Sequence, residues 1–179
     1  MKLRILSILL LAVFAFESCK EQNTTTYYLI RHAEKDRTDS LNRNPNLTKQ
    51  GLERAKKWAD YFKNIDLDAV YSTNYNRTLQ TATPTAESKE LTVQLYNPKK
   101  MYDSIFQAET TGKSVLVVGH SNTTPAFVNQ ILSEGQKGEI KEIYKSMDDN
   151  DNASMYIVSF EKRGIAMIKK SSKVIKVGH

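Results

Sequence analysis

The chain has 179 residues, 40% of them hydrophobic and 26% charged, with seven glycines and four prolines. This is the composition of one globular domain with roughly 70% of its unfolded surface to bury, and it excludes a disordered or fibrous chain. The net charge of +6 is spread without interleaved aromatics, apart from the lysine-rich end at Lys169, Lys170, Lys173 and Lys176, so no nucleic-acid partner is expected.

In chain order, the N-terminus reads as a targeting segment. Lys2 and Arg4 precede residues 5–16, a twelve-residue run broken only by Ser7. That run is too short to span a bilayer and suits a signal-peptide h-region. Ser18 and Cys19 follow, then polar residues 20–26. Cys19 is the one cysteine, so no internal disulfide can form. Its position resembles the lipidated cysteine of a bacterial lipoprotein, although Phe16 and Glu17 are unusual before it. The resemblance implies a signal over residues 1–18, a tether over 19–26 and a domain over 27–179 held at a membrane of the cell envelope by acyl chains on Cys19. Loss of Lys2, Arg4 and Glu17 would take the charge from +6 to +5 (+6 − 2 + 1).

The body alternates strand-like and helix-like segments. Residues 27–30 read as a short strand ending at Arg31 and His32, and residues 33–46 as a loop containing Pro45. Thr48 is placed to cap a helix in which Leu52, Ala55, Ala59 and Phe62 recur at helical spacing. Residues 69–72 form a second strand. Residues 76–88 read as a helix in which Pro84 imposes a kink or marks the start. Residues 91–96 alternate like a strand, and residues 98–111 read as a helix stopped by Gly112. Val115, Leu116, Val117 and Val118 make the clearest buried strand, ended by Gly119 and His120. Residues 124–132 are helical, and 155–160 with 165–168 suit a hairpin turning at Lys162, Arg163 and Gly164.

This order predicts an α/β fold: a mostly parallel central sheet, helices on both faces and a C-terminal hairpin. Such sheets carry their chemistry beyond the carboxyl ends of the strands, where Arg31–His32 and Gly119–His120 both fall. The acidic run at residues 148–152 imitates a calcium loop, but the glycine position holds Ala153 and the twelfth holds Ser159, so it reads as a polar turn. No metal site and no cofactor are expected.

Four segments then carry a resemblance. Leu29-Ile30-Arg31-His32-Ala33-Glu34 resembles the signature of the histidine phosphatase superfamily, which includes the phosphoglycerate mutases. Leu47-Thr48-Lys49-Gln50-Gly51 with Ala55 is similar to the start of the family's first helix. Tyr71-Ser72 with Arg77-Thr78 and Gln80-Thr81-Ala82 is similar to its second-arginine segment, and Val117-Val118-Gly119-His120-Ser121-Asn122 to its second-histidine segment. The likeness spans roughly residues 27–160. It implies a metal-independent phosphatase of branch 1, with His32 as a nucleophile that becomes a phosphohistidine. The resemblance likewise implies Arg31 and Arg77 as its phosphate forks and His120 as its transition-state donor. Glu34, Ser121 and Asn122 rank as substrate contacts, the last two at a helix start that suits phosphate.

The family's mutase-like members place an acidic residue after the third strand. Here residues 95–102 hold Asn97 and no carboxylate; Asp103, later and on an expected helix, is one possible general acid, and the acid stays unassigned. Ser121 after His120 departs from the acid phosphatase and phytase pattern, where an aspartate follows. The short segment after the third strand implies an uncapped pocket that admits a phosphorylated small molecule or a phosphoprotein. Two other readings fit the sequence: a mutase-like phosphotransferase, and a module that binds phosphate without turnover.

Overall fold

A computed structural model describes residues 24–178 except 137, 139, 164 and 165. The expected signal segment, Cys19 and His179 lie outside the described residues. Six strands, β1 (Thr24–Arg31), β2 (Ala69–Ser72), β3 (Val93–Leu95), β4 (Ser114–Gly119), β5 (Ser154–Arg163) and β6 (Ala166–Lys176), form one sheet in the order β3-β2-β4-β1-β5-β6. The first four strands of that order run parallel, and β5 and β6 are antiparallel to their neighbours. The described residues also form four helices, α1 (Lys49–Phe62), α2 (Asn76–Ser88), α3 (Ser104–Thr110) and α4 (Thr123–Ser133).

Helices cover both faces, as expected. Side chains alternate across a strand, and the two cores follow that alternation. Ile30, Val70, Leu116 and Val118 pack with Trp58, Phe62 and Ala82 of α1 and α2. Leu29, Tyr71, Val115 and Val117 pack with Phe106, Phe127 and Ile131 of α3 and α4. A strand buried on both faces must be apolar throughout, which is why Val115–Val118 was the clearest strand in the sequence.

Several boundaries differ from expectation. β1 begins at Thr24, so the last three residues of the expected tether belong to the sheet: the threonines are β-branched, and buried Thr25 Oγ1 accepts the Gly112 N–H at 2.8 Å. The helix expected over 98–111 is only α3. Asn97 Oδ1 accepts Lys99 N–H at 2.9 Å and turns the chain, and Asp103 starts the helix as its cap. The third strand keeps only Val93–Leu95. Pro84 lies inside α2, not at its start. β6 runs to Lys176, because Lys170, Ser171, Ser172 and Lys173 are the polar dress of an edge strand rather than a break.

Candidate active site

Register brings the two histidines together. Arg31 of β1 pairs with Gly119 of β4, and His32 N–H donates to Gly119 O at 2.9 Å, so His32 and His120 leave adjacent parallel strands side by side. Their ring centroids are 5.6 Å apart. Ser72 of β2 is level with Val118, so the chain leaving β2 runs past His120 into α2, which carries Arg77.

His32 is nearly buried, at 4% exposure. Its Nδ1 lies 2.7 Å from Ala33 O. A carbonyl only accepts, so Nδ1 carries the hydrogen and Nε2 holds the lone pair. Burial, and then the charges of Arg31 and Arg77, push the imidazole down to about 3, against the pull of the Ala33 carbonyl. His120 is pushed down to about 4 by burial, Arg77, Arg31 and Lys35. Both rings are therefore neutral at pH 7.

Arg77 Nη2 faces His120 Nδ1 at 3.4 Å, and its Cζ sits 4.5 Å from the Tyr75 ring centroid. Tyr75 also meets His120 edge to face, with centroids 5.2 Å apart. Arg77 Nε and Nη1 and Arg31 Nε are buried donors without a protein partner. Buried donors are ordinarily satisfied, so three unpaired guanidinium atoms beside two neutral imidazoles mark the place of an anion.

The rest of Arg31 is engaged. Its Nη1 donates to Asp148 O (2.8 Å) and Asp149 O (3.0 Å), and its Nη2 pairs with Asp149 Oδ1 at 3.0 Å. Arg37 shares the same carboxylate at 3.1 Å. Asn152 Nδ2 donates to His32 O at 2.8 Å. The acidic run is thus more than a turn before β5: it holds both residues of the Arg-His pair. Nothing in its composition signals this. The reason is topological, since β5 runs antiparallel beside β1 with Met155 opposite Ile30.

Arg31, His32, Arg77 and His120 are therefore brought together. Glu34 lines a cleft of about 250 Å³ with His32, Lys35, Arg37, Gln50 and Asp149. Its Oε1 accepts from Arg54 Nε at 2.7 Å, and its backbone O receives Thr48 N–H at 2.8 Å. Glu34 thereby secures the start of α1, which Thr48 caps by accepting Gly51 N–H at 3.1 Å. Asn122 stands at the N-terminus of α4 but makes no side-chain cap bond, and Thr123 Oγ1 instead accepts His120 N–H at 3.0 Å. The Ser121 carbonyl accepts Met147 N–H at 2.8 Å. Asp103 caps α3, accepting Phe106 N–H at 2.9 Å. Sequence reasoning missed Thr73, Tyr75, Lys35, Asp149 and Asn152. Thr73 alone had a signal, standing directly after Tyr71-Ser72.

Residues 27–97 match the family model of the histidine phosphatase superfamily (branch 1). No curated protein matches the chain. Among solved structures, mycobacterial glucosyl-3-phosphoglycerate phosphatase is similar over 87% of this chain and 100% of its own, at 13% identity and a TM-score of 0.59. SixA of Agrobacterium tumefaciens, a candidate phosphohistidine phosphatase, is similar over 81% and 97%, at 21% identity and a TM-score of 0.52. Phosphoglycerate mutase of Bacillus anthracis is similar over 88% and 94%, at 16% identity and a TM-score of 0.54. The fold is that of the phosphoglycerate mutase-like histidine phosphatases.

Proposed function

We propose that the chain is a histidine phosphatase that hydrolyses a phosphomonoester or phosphoramidate through a phosphohistidine on His32. The observation that carries this reading is the set of unpartnered donors, Arg77 Nε and Nη1 and Arg31 Nε, buried beside two neutral imidazoles. Phosphoryl transfer asks a protein mainly for positioning and for charge on the equatorial oxygens. The two guanidiniums supply that charge, so the reading needs no metal. His32 Nε2 attacks phosphorus with its lone pair, and the bond to the leaving group breaks. Water then attacks the phosphohistidine, releasing inorganic phosphate and the neutral ring.

Asp103 is committed to a helix cap. The reading therefore favours leaving groups that need little proton help, such as those of aryl phosphates and phosphoramidates. The same reading keeps the domain at the cell envelope through acyl chains on Cys19. Radiolabelled fatty acid entering the wild type and Cys19→Ala alike would remove that part.

The test is hydrolysis of an aryl phosphate with chelator present, beside His32→Ala. Turnover by the wild type and its loss in the variant are expected. Equal turnover by both, or turnover abolished by chelator, would contradict the mechanism.

A further inference from the structure

His120 has a second set of neighbours that the phosphatase mechanism does not use. Its Nε2 lies 2.9 Å from Thr73 Oγ1, and Thr73 Oγ1 lies 3.0 Å from Thr78 Oγ1. Thr78 Oγ1 in turn donates towards Thr73 O at 2.8 Å and Tyr75 O at 2.9 Å. Both threonines are fully buried.

The direction of each bond follows from what each group can do. Thr78 has one hydroxyl hydrogen, and the carbonyls take it because they can only accept. Its oxygen is then free to accept the hydroxyl hydrogen of Thr73. Thr73 Oγ1 is left as an acceptor for His120, which places the ring hydrogen of His120 on Nε2. The other side of the ring agrees, because Arg77 can only donate and its Nη2 faces Nδ1 at 3.4 Å.

From this chain we infer that Thr73 is a positioning residue, anchored by Thr78, that holds the His120 ring in its plane and in the Nε2–H tautomer. The role rests on the proposed phosphatase reading, in which His120 meets the phosphoryl group beside Arg77. A ring held by a buried hydroxyl on one edge keeps its other edge, Nδ1, turned towards the anion place beside Arg77. An oxyanion arriving there takes over the Arg77 donor; when the proton of a phosphate monoanion passes to Nδ1, the ring becomes an imidazolium that donates from Nδ1 to the oxyanion and still donates from Nε2 to Thr73 Oγ1. Thr73 thus supports His120 before and after the anion arrives.

Thr73→Val keeps the shape and removes the hydroxyl, whereas Thr73→Ser keeps the hydroxyl. Two readouts apply to the full chain. The first is nitrogen-15 NMR of the His120 ring at pH 7, which reports which nitrogen carries the hydrogen and needs no substrate. The second is steady-state hydrolysis of an aryl phosphate.

The wild type and Thr73→Ser are expected to show His120 protonated on Nε2, with kcat values within a few-fold of each other. Thr73→Val is expected to lose that tautomer and about 100-fold in kcat, with KM nearly unchanged, as befits a misplaced transition-state group. Thr78→Val, which removes only the anchor, is expected to shift the ring in the same direction, and it serves should Thr73→Val fail to melt cooperatively. A folded variant with an unchanged ring or an unchanged kcat would overturn the inference. A wild type without turnover would count against the phosphatase reading instead, and the ring nitrogens alone would then decide the role of Thr73.

Discussion

Buried neutral histidines make folding sensitive to mild acid, and the size of that sensitivity can be worked out here. In the unfolded chain a histidine titrates near 6.5, whereas folded His32 titrates at about 3 and His120 at about 4. A lowered folded value means that the unfolded state takes up the proton first. The stability of the neutral rings is complete above pH 6.5 and is lost as the pH falls towards the folded values. Each pH unit below 6.5 is worth about 1.4 kcal/mol per group, so between pH 7 and pH 5 each histidine costs about 2 kcal/mol and the two together about 4 kcal/mol. Asp36, Asp149 and Asp151 are all held below their ordinary 3.8, so they do not enter this window. The assay is urea unfolding followed by the fluorescence of Trp58, the one tryptophan, which is 1% exposed. His32→Gln, which cannot titrate, should lose about half as much stability as the wild type over the same interval. A wild type equally stable at pH 5 and pH 7, or a His32→Gln variant with the full acid loss, would refute the burial argument.

Other substitutions give sharp expectations. Arg77→Lys keeps the charge but loses the fork, and should weaken competitive inhibition by inorganic phosphate roughly tenfold or more; unchanged inhibition would remove Arg77 from the anion place. Gly51→Ala would put a Cβ 2.2 Å from the Glu34 carbonyl oxygen, which is backbone and cannot step aside. It should cost at least about 1–3 kcal/mol in urea unfolding. Asp149→Asn removes an ion pair whose carboxylate is 71% exposed, and should change stability by less than about 1 kcal/mol. Asn152→Ala, which strips the donor from the His32 carbonyl, should cost about 1–3 kcal/mol in the same assay, and the reverse order of these two effects would contradict the assigned contacts.

β2 and β4, at the centre of the parallel half of the sheet, were legible because they are buried on both faces and their apolar runs leave little choice. β4 reads Ser-Val-Leu-Val-Val-Gly, and Arg31 and Gly119 fall at strand ends without any knowledge of pairing. α1 was legible from its cap and its period. What escaped depended on contacts between distant segments. Lys170 to Lys173 look like the end of a fold until β6 is seen at a sheet edge, where charge is what an edge requires. Asp149 and Asn152 sit in a run that scores as a turn, and only the antiparallel placement of β5 beside β1 brings them to Arg31 and His32. Asp103 shows the opposite case: a carboxylate singled out by its place along the chain accepts the Phe106 N–H at the start of α3, a contact that its sequence neighbours alone did not bring out.

The central claim, a phosphohistidine on His32, is tested most directly by trapping it. The chain is mixed with a radiolabelled aryl phosphate, quenched in alkali within the first turnovers, digested and mapped. The account predicts label that is stable in alkali, labile in acid and confined to the peptide containing His32, and absent from His32→Ala. Label on another residue, or hydrolysis with no labelled protein under single-turnover conditions, would contradict it.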